Sequence, residues 1–210
     1  MKRFEIITES DARVLEPGST VLLVPGGIVT PLARDTLRER RIVVVRDDLS
    51  DAEVAALAPV ANVRTLAIGC DHTGVALKNA LVAHFRARGL QVEDLGVDRP
   101  DPVDYPDVAE RVATMVAAHE ADAGVIIDGA GIGSAIAANK IRGIRAAMCP
   151  DETIARYARE HNGAHIATIG ASMLDTARAV AIVERFVATP MREPRYLRRL
   201  AKIERLERRP

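Results

Sequence analysis

An α/β fold on a parallel five-stranded sheet is what this sequence predicts, and three observations predict it. From Thr65 onward, five short apolar runs alternate with helix-like segments. Two of those runs, 66–69 and 124–127, are continuous rather than alternating, as strands covered on both faces are. Third, residues 125–140 pass from an apolar strand through Gly129, Gly131 and Gly133 into a helical run from Ser134. Strands that alternate with helices need crossover connections, which make a parallel sheet with helices on both sides. The expectation is a Rossmann-like three-layer domain over 64–190, with a small N-terminal extension (1–63) and a basic C-terminal helix (191–210).

The composition suits that fold. Of 210 residues, 48% are apolar, enough for a sizeable core, yet there are only three Tyr, three Phe and no Trp. The core must therefore come from Val, Ile, Leu and Ala. Charges balance at 29 against 29, so nothing global points to nucleic acid or an anionic membrane as partner. Cys70 and Cys149 each close an apolar run and read as two buried free thiols. The first residues lack an apolar region long enough for a signal peptide, and no run is long enough to span a bilayer. A soluble, cytoplasmic protein is expected.

In the extension, Thr8 to Asp11 caps a short helix over 11–15, stopped by Pro17-Gly18. Residues 21–24 form a strand ended by Pro25-Gly26-Gly27. Thr30-Pro31 sets a hydroxyl cap before a proline at the first helical position, opening a helix through Arg40. A second strand covers 42–45, residues 47–51 begin a polar connection, and the Ala-rich 52–60 is a short helix or ordered linker. So small a segment is expected to dock on the main body or on a partner.

In the main domain, strands are expected at 66–69, 91–95, 124–127, 145–148 and 167–169. Helices are expected at 75–88, 108–118, 134–140, 151–160 and 176–188. Asp104-Tyr105-Pro106 opens the second helix, and an acidic cap opens the fourth. Pro190 and Pro194 bracket a turn before an arginine-rich helix over 195–209. Arg195 and Arg199 lie one turn apart on one face of it. A solvated basic face and a bidentate phosphate clamp both fit that spacing.

The glycine turn carries the chemistry. Where a strand breaks into glycines and re-emerges as a helix, backbone N–H groups and the positive end of the helix dipole converge on one spot suited to an anion. Asp128 stands at the strand's carboxyl end, where α/β folds keep their ligands. A tight strand–helix connection with no ligand is the alternative. A nucleotide-binding module is poorly supported, because no lysine follows Gly133 as a phosphate loop requires. Of the histidines, His84 and His119 read as solvated and His165 as structural.

Five ordered motifs fall between Leu66 and Ile203: IGCDHTGVALK (68–78), DYPDVA (104–109), GAGIGSAIAANKIRGIRAA (129–147), AREHNGAH (158–165) and PRYLRRLAKI (194–203). With them the chain resembles the ribose-5-phosphate isomerase type B / galactose-6-phosphate isomerase family. The resemblance implies interconversion of aldose and ketose phosphates, most readily ribose 5-phosphate and ribulose 5-phosphate, through a cis-enediol(ate) without metal or cofactor. It also implies a homo-oligomer, dimer or tetramer, in which two chains complete each pocket. By resemblance His161 is the ring-opening histidine, with Asn162 beside it. Asp71, His72 and Tyr105 line the sugar pocket, and the N–H groups of Gly129, Gly131 and Gly133 stabilise the developing anion. Arg145, Arg195 and Arg199 hold phosphate.

The resemblance fails at the base. Many family members carry a cysteine at the position of Asp128, and others a glutamate at the position of Ser134; the usual threonine is Ala130. Three readings stand. Asp128 is itself the base, although an ordinary carboxylate pKa near ~3.9 makes it a weak one. Alternatively Asp128 binds a sugar hydroxyl while another group moves the proton. In the third, the chain is a catalytically silent sugar-phosphate-binding or structural subunit. Finally, residues 7–45 resemble a short N-terminal module of enzymes packaged in bacterial microcompartments, which implies a shell or cargo partner; a decoration that stabilises the oligomer is the alternative.

Overall fold

A computed structural model describes residues 2–46, 51–99 and 101–207. The polar connection expected at 47–51 and the end of the last helix at 208–209 fall largely outside them. The chain divides into two compact units, Met1–Ala55 and Ala56–Pro210. Among the described residues no helix is long and apolar enough to cross a membrane.

The first unit is a complete βαβαβ motif: β1 (Arg3–Ile7), α1 (Glu9–Val14), β2 (Thr20–Val29), α2 (Pro31–Glu39) and β3 (Val43–Arg46). Its three strands are parallel in the order β1-β2-β3. Thr8 caps α1 in a reciprocal box, its hydroxyl accepting from the Asp11 N–H while the Asp11 carboxylate accepts from the Thr8 N–H at 2.9 Å. Two expectations are corrected. Residues 3–7, given no element in the sequence, form an edge strand. Pro25-Gly26-Gly27 does not end β2, because pairing jumps from Phe4↔Leu23 to Ile6↔Ile28. The extra residues bulge out of the ladder, which removes the need for a Pro25 donor and suits Gly26 at φ +73. Ile7, Val21, Leu23, Ala33 and Leu37 close a core of this unit's own.

After α3 (Asp51–Ala56), the second unit carries β4 (Thr65–Cys70), α4 (Val75–Ala87), β5 (Gln91–Asp94), α5 (Tyr105–Ala117), β6 (Ala123–Asp128) and α6 (Ile132–Ala138). Then follow β7 (Ala146–Met148), α7 (Glu152–Asn162), β8 (Ile166–Gly170), α8 (Thr176–Ala188) and α9 (Pro194–Glu207). The sheet is parallel throughout, in the order β5-β4-β6-β8-β7. Side chains alternate between its faces. Leu66, Ile68, Val125 and Ile127 pack with α4, α7 and α8, while Ala67 and Ile126 pack with α5 and α6. These are the three layers expected, with strand ends shifted by a residue or two.

Two glycines let α5 sit directly on the sheet. A Cβ on Gly69 would stand 2.7 Å from Val108 Cγ1 and from Val112 Cγ2; one on Gly124 would stand 2.8 Å from Val112 Cγ1. Gly124→Ala is therefore expected to destabilise the protein by about 1–3 kcal/mol through overpacking, read as a lower urea midpoint with an unchanged m-value. At the end of β5, the wholly buried Lys78 donates to Asp94 at 2.8 Å and to Asp98 at 2.9 Å. Burial alone would lower its pKa, but the two carboxylates leave it above the ordinary value.

Because β4 connects outward to β5 and the chain then returns to β6 on β4's other side, the strand order reverses between β4 and β6. Ligands of open α/β sheets bind at such a reversal, outside the carboxyl ends of the strands. Asp71 and Asp128 flank it, and the Asp71 N–H donates to the Ile127 carbonyl at 3.0 Å.

Candidate active site

The glycine turn after β6 is organised around a carboxylate that belongs to the chain itself. Asp128 Oδ1 accepts the N–H groups of Ala130 (2.9 Å) and Gly131; Oδ2 accepts the N–H of Ser134 (2.9 Å) and its hydroxyl (2.6 Å). Asp128 is 4% exposed and Ser134 fully buried. Gly131 holds the turn at φ +79, where a Cβ would lie 3.0 Å from the Ile169 carbonyl carbon. From β8 the buried Thr168 hydroxyl donates to the Gly131 carbonyl at 2.5 Å.

This arrangement revises two expectations. The N–H of Gly131 does not face an outside anion, because Asp128 already fills the nest from within. Of the N–H groups of Gly129, Gly131 and Gly133, that of Gly131 is the one Asp128 takes. Asp128 in turn has two hydrogen bonds on each oxygen, about the full acceptor capacity of a carboxylate. To accept a proton from carbon it would have to release part of the loop. The geometry makes Asp128 the loop's anchor.

Around this turn, Gly129, Gly131 and Gly133 stand with Asp71, His72 and Tyr105 at the carboxyl edge of the sheet. Asp71, 6% exposed, accepts the Thr73 N–H (2.8 Å) and hydroxyl (2.5 Å) on Oδ1. No hydrogen bond among the described residues reaches its Oδ2. His72 Nδ1 accepts the Val103 N–H at 3.3 Å, so the neutral ring carries its proton on Nε2. Tyr105, half-exposed, opens α5 with its ring against Gly133, where a Cβ would be 2.6 Å from Cε2 and Cζ. Gly133 is needed for that ring to lie there.

His161, Asn162, Arg195 and Arg199 lie elsewhere. α7 leaves the carboxyl end of β7 and returns to the amino end of β8, so its last turn sits at the amino edge of the sheet. Eleven helical residues carry it about 16 Å along its axis. There His161 is sandwiched between Tyr157 and Tyr196, with ring centroids 4.6 Å away on both sides. Asn162 Nδ2 donates to the Tyr157 carbonyl at 3.1 Å. α9 packs on α7 through buried Tyr196 and Leu200, while Arg195 and Arg199 remain exposed with their guanidinium carbons 4.9 and 5.6 Å from the Tyr196 ring. An imidazole and two cations thus surround one tyrosine.

Arg145 joins this edge but not as a phosphate fork. Its Nε donates to the Gly163 carbonyl at 2.9 Å and its Nη2 to the Leu57 carbonyl at 2.6 Å, with His165 Nε2 at 3.0 Å from Nη2. With Nε and Nη2 both engaged, no bidentate edge of the guanidinium is left. Burial lowers the Arg145 pKa to about 10, still cationic at neutral pH. Burial, with Arg145 and Arg159 nearby, pushes His165 down to about 3, so it is a neutral acceptor.

Tyr157, Tyr196 and Thr168 are not singled out in the sequence, and Ser134 stands out there only as the start of the helix and the site of a glutamate in some members of the family the chain resembles, not as a partner of Asp128. The one available signal was Thr168, a hydroxyl inside an otherwise apolar strand. His84 is not merely solvated, since it pairs with Glu184 at 2.9 Å. Cys70 and Cys149 are free and buried, as expected. Burial raises both thiols, Cys149 to about 12.

Residues 66–203 match the family model described as Ribose/Galactose Isomerase. Ribose-5-phosphate isomerase B of Escherichia coli (strain K12) is 37% identical over 146 residues, 70% of this chain and 98% of that protein. The corresponding protein of Mycolicibacterium paratuberculosis is 40% identical over 143 residues, 67% of this chain and 90% of that one. The ribose-5-phosphate isomerase B structure from Clostridium thermocellum superposes with a TM-score of 0.67 at 38% identity, covering 69% of this chain and 97% of that one. The Mycoplasma genitalium enzyme, solved with bound ribulose-5-phosphate, gives 0.67 at 33% identity over 70% and 97%. The chain belongs to the ribose/galactose isomerase family.

Proposed function

We propose that this chain is an aldose–ketose isomerase of a phosphorylated sugar, with ribose 5-phosphate and ribulose 5-phosphate as its pair, and that two chains build each site. One observation carries the shared site: the residues that the chemistry needs sort to opposite edges of one sheet. Asp71, His72, Tyr105 and the glycine turn cannot meet His161, Arg195 and Arg199 of the same chain across the length of the strands. A second copy supplies the missing half. Ile132 and Ile136, more than half exposed on α6 beside the turn, give that copy an apolar surface to cover.

In this reading Arg195 and Arg199 hold the phosphate, and His161, with Asn162 next to it, exchanges a proton with the ring oxygen as the sugar opens. A carboxylate then moves a proton between C2 and C1. Asp71 is the carboxylate with an unengaged oxygen at the strand reversal, and we assign it that role, with Asp128 holding the turn that borders the enediolate. Replacing Arg195 and Arg199 together by alanine is expected to raise KM for ribose 5-phosphate at least ~10-fold with a smaller change in kcat, since each charge-assisted hydrogen bond contributes about 1.5–3 kcal/mol. The reaction itself is tested by NMR in deuterated water. Deuterium entering C1 of ribulose 5-phosphate or C2 of ribose 5-phosphate establishes the proton transfer; bound sugar with no exchange would leave a silent sugar-phosphate-binding subunit.

Residues 1–55 are proposed as a docking module, with a microcompartment shell or cargo protein as the partner class that their sequence resemblance suggests. The exposed Ile6, Ile28 and Val43 of the small parallel sheet support docking, since parallel sheets are ordinarily covered on both faces.

A further inference from the structure

Segment 57–60, which precedes the matched family region, is tied to the turn that follows His161 and Asn162. Two arginines of the second unit make the tie in the same way. Arg145 bridges the Gly163 carbonyl (2.9 Å) to the Leu57 carbonyl (2.6 Å). Arg159, fully buried, bridges the Ala164 carbonyl (2.9 Å) to the Val60 carbonyl (2.6 Å). Each guanidinium thus joins one carbonyl of the 163–164 turn to one carbonyl of the segment. The Arg159 plane also lies over Phe186 of α8, 5.1 Å from the ring centroid, which limits its freedom to turn elsewhere.

The turn itself has little slack. Gly163 is left-handed at φ +56, and a Cβ there would stand 2.7 Å from Leu200 Cδ1 and 3.2 Å from Arg145 Nη2. Leu200 lies one helical turn beyond Tyr196, the residue that stacks on His161. A shift of the 163–164 backbone therefore moves the end of α7 and the seat of the His161 ring together. Loss of the segment would take one carbonyl acceptor from each guanidinium, and an under-paired buried cation is unfavourable, so the 163–164 turn would have to rearrange with it.

We infer that residues 57–60 are a positioning element of the isomerase site, acting through Arg145 and Arg159 to hold His161 and Asn162 in place. The inference rests on the proposed ring-opening role of His161. Arg145 and Arg159 are positioning residues: neither touches substrate. The second unit is then not self-sufficient from Leu66 onward, where the family match begins, and its first residues belong to the active machinery.

The test uses the full chain with Arg159→Lys, Arg145→Lys and the loosened segment Ala58→Gly/Pro59→Gly. Lysine keeps the charge but, as a single flexible ammonium, does not reproduce a two-carbonyl fork. Conversion of ribose 5-phosphate, which begins as a ring, is expected to fall at least ~10-fold in kcat. Deuterium exchange at C1 of ribulose 5-phosphate, which needs proton transfer but no ring chemistry, is expected to stay within about twofold. In parallel, the His161 ring proton resonance, shifted upfield by the two tyrosines in the wild type, moves downfield in all three variants.

Unchanged conversion with an unchanged His161 resonance overturns the inference. Conversion and exchange falling together, in step with the thermal transition, overturns it as well, because that is a purely structural effect. A wild-type chain that neither converts nor exchanges any sugar phosphate refutes the proposed function separately, and the His161 resonance then still decides whether the segment holds the ring.

Discussion

Asp128→Asn is expected to unfold the glycine turn, lowering stability by about 3–4 kcal/mol and abolishing turnover with it. The native carboxylate accepts four hydrogen bonds, from Ala130, Gly131 and Ser134 twice. An asparagine offers one oxygen and an NH2 group: placed toward Ala130 and Gly131 the NH2 faces two N–H donors, and placed toward Ser134 it can donate to the hydroxyl but still faces the Ser134 N–H. Each charge-assisted hydrogen bond lost contributes about 1.5–3 kcal/mol, and a buried donor left unpaired adds its own desolvation cost. Urea denaturation at neutral pH, monitored beside deuterium exchange into the sugar, checks this. A variant with native stability and no exchange would return Asp128 to the chemistry as the base.

Mixing two inactive chains is expected to restore activity. Asp71→Asn removes the carboxylate from one edge of the sheet, and His161→Ala removes the imidazole from the other. In a homodimer each variant spoils both sites. In a mixed dimer one site collects both defects and the other collects none. Random reassortment of equal amounts therefore gives about a quarter of the wild-type activity from two preparations with almost none. Dissociation and reassembly under mild denaturant, followed by assay, measures it. No recovery, with mixed dimers demonstrated by differently tagged chains, would mean that both residues serve one site within a single chain.

The sheet was legible because its signals are local. Five apolar runs, their glycine and proline boundaries and the caps at Thr30 and Asp151 lie within a few residues of what they control. The bulge in β2 was not legible. Pro25-Gly26-Gly27 has the composition of a turn, and only pairing with Arg3–Ile7 turns it into a strand that steps out of register and resumes. The site divides along the same line. The positions of Asp71, His72, His161, Arg195 and Arg199 follow from motifs, while their separation onto two edges needs the strand order. Arg145 is the clearest case: its partner Leu57 lies 88 residues away, and nothing near Arg145 in the sequence distinguishes a guanidinium that grips a backbone from one that awaits a phosphate. The hydrogen bonding of Asp128 is hidden in the sequence for a related reason. Its place after a strand suggests an outward-facing acid, whereas the hydroxyl and N–H six residues on, at Ser134, draw it inward.

The state of the two thiols bears on how this isomerase meets oxidants. Cys70 and Cys149 are the only cysteines of the chain, and both are buried with their ionisation pushed upward. Peroxide and alkylating reagents attack thiolates, in proportion to their population and access. With a carboxylate at position 128, and with Cys70 and Cys149 buried at the carboxyl ends of β4 and β7, the chain offers such reagents no exposed thiol at its catalytic edge. Its turnover should be indifferent to an oxidising burst or to iodoacetamide, conditions that would inactivate an isomerase whose base is a thiolate.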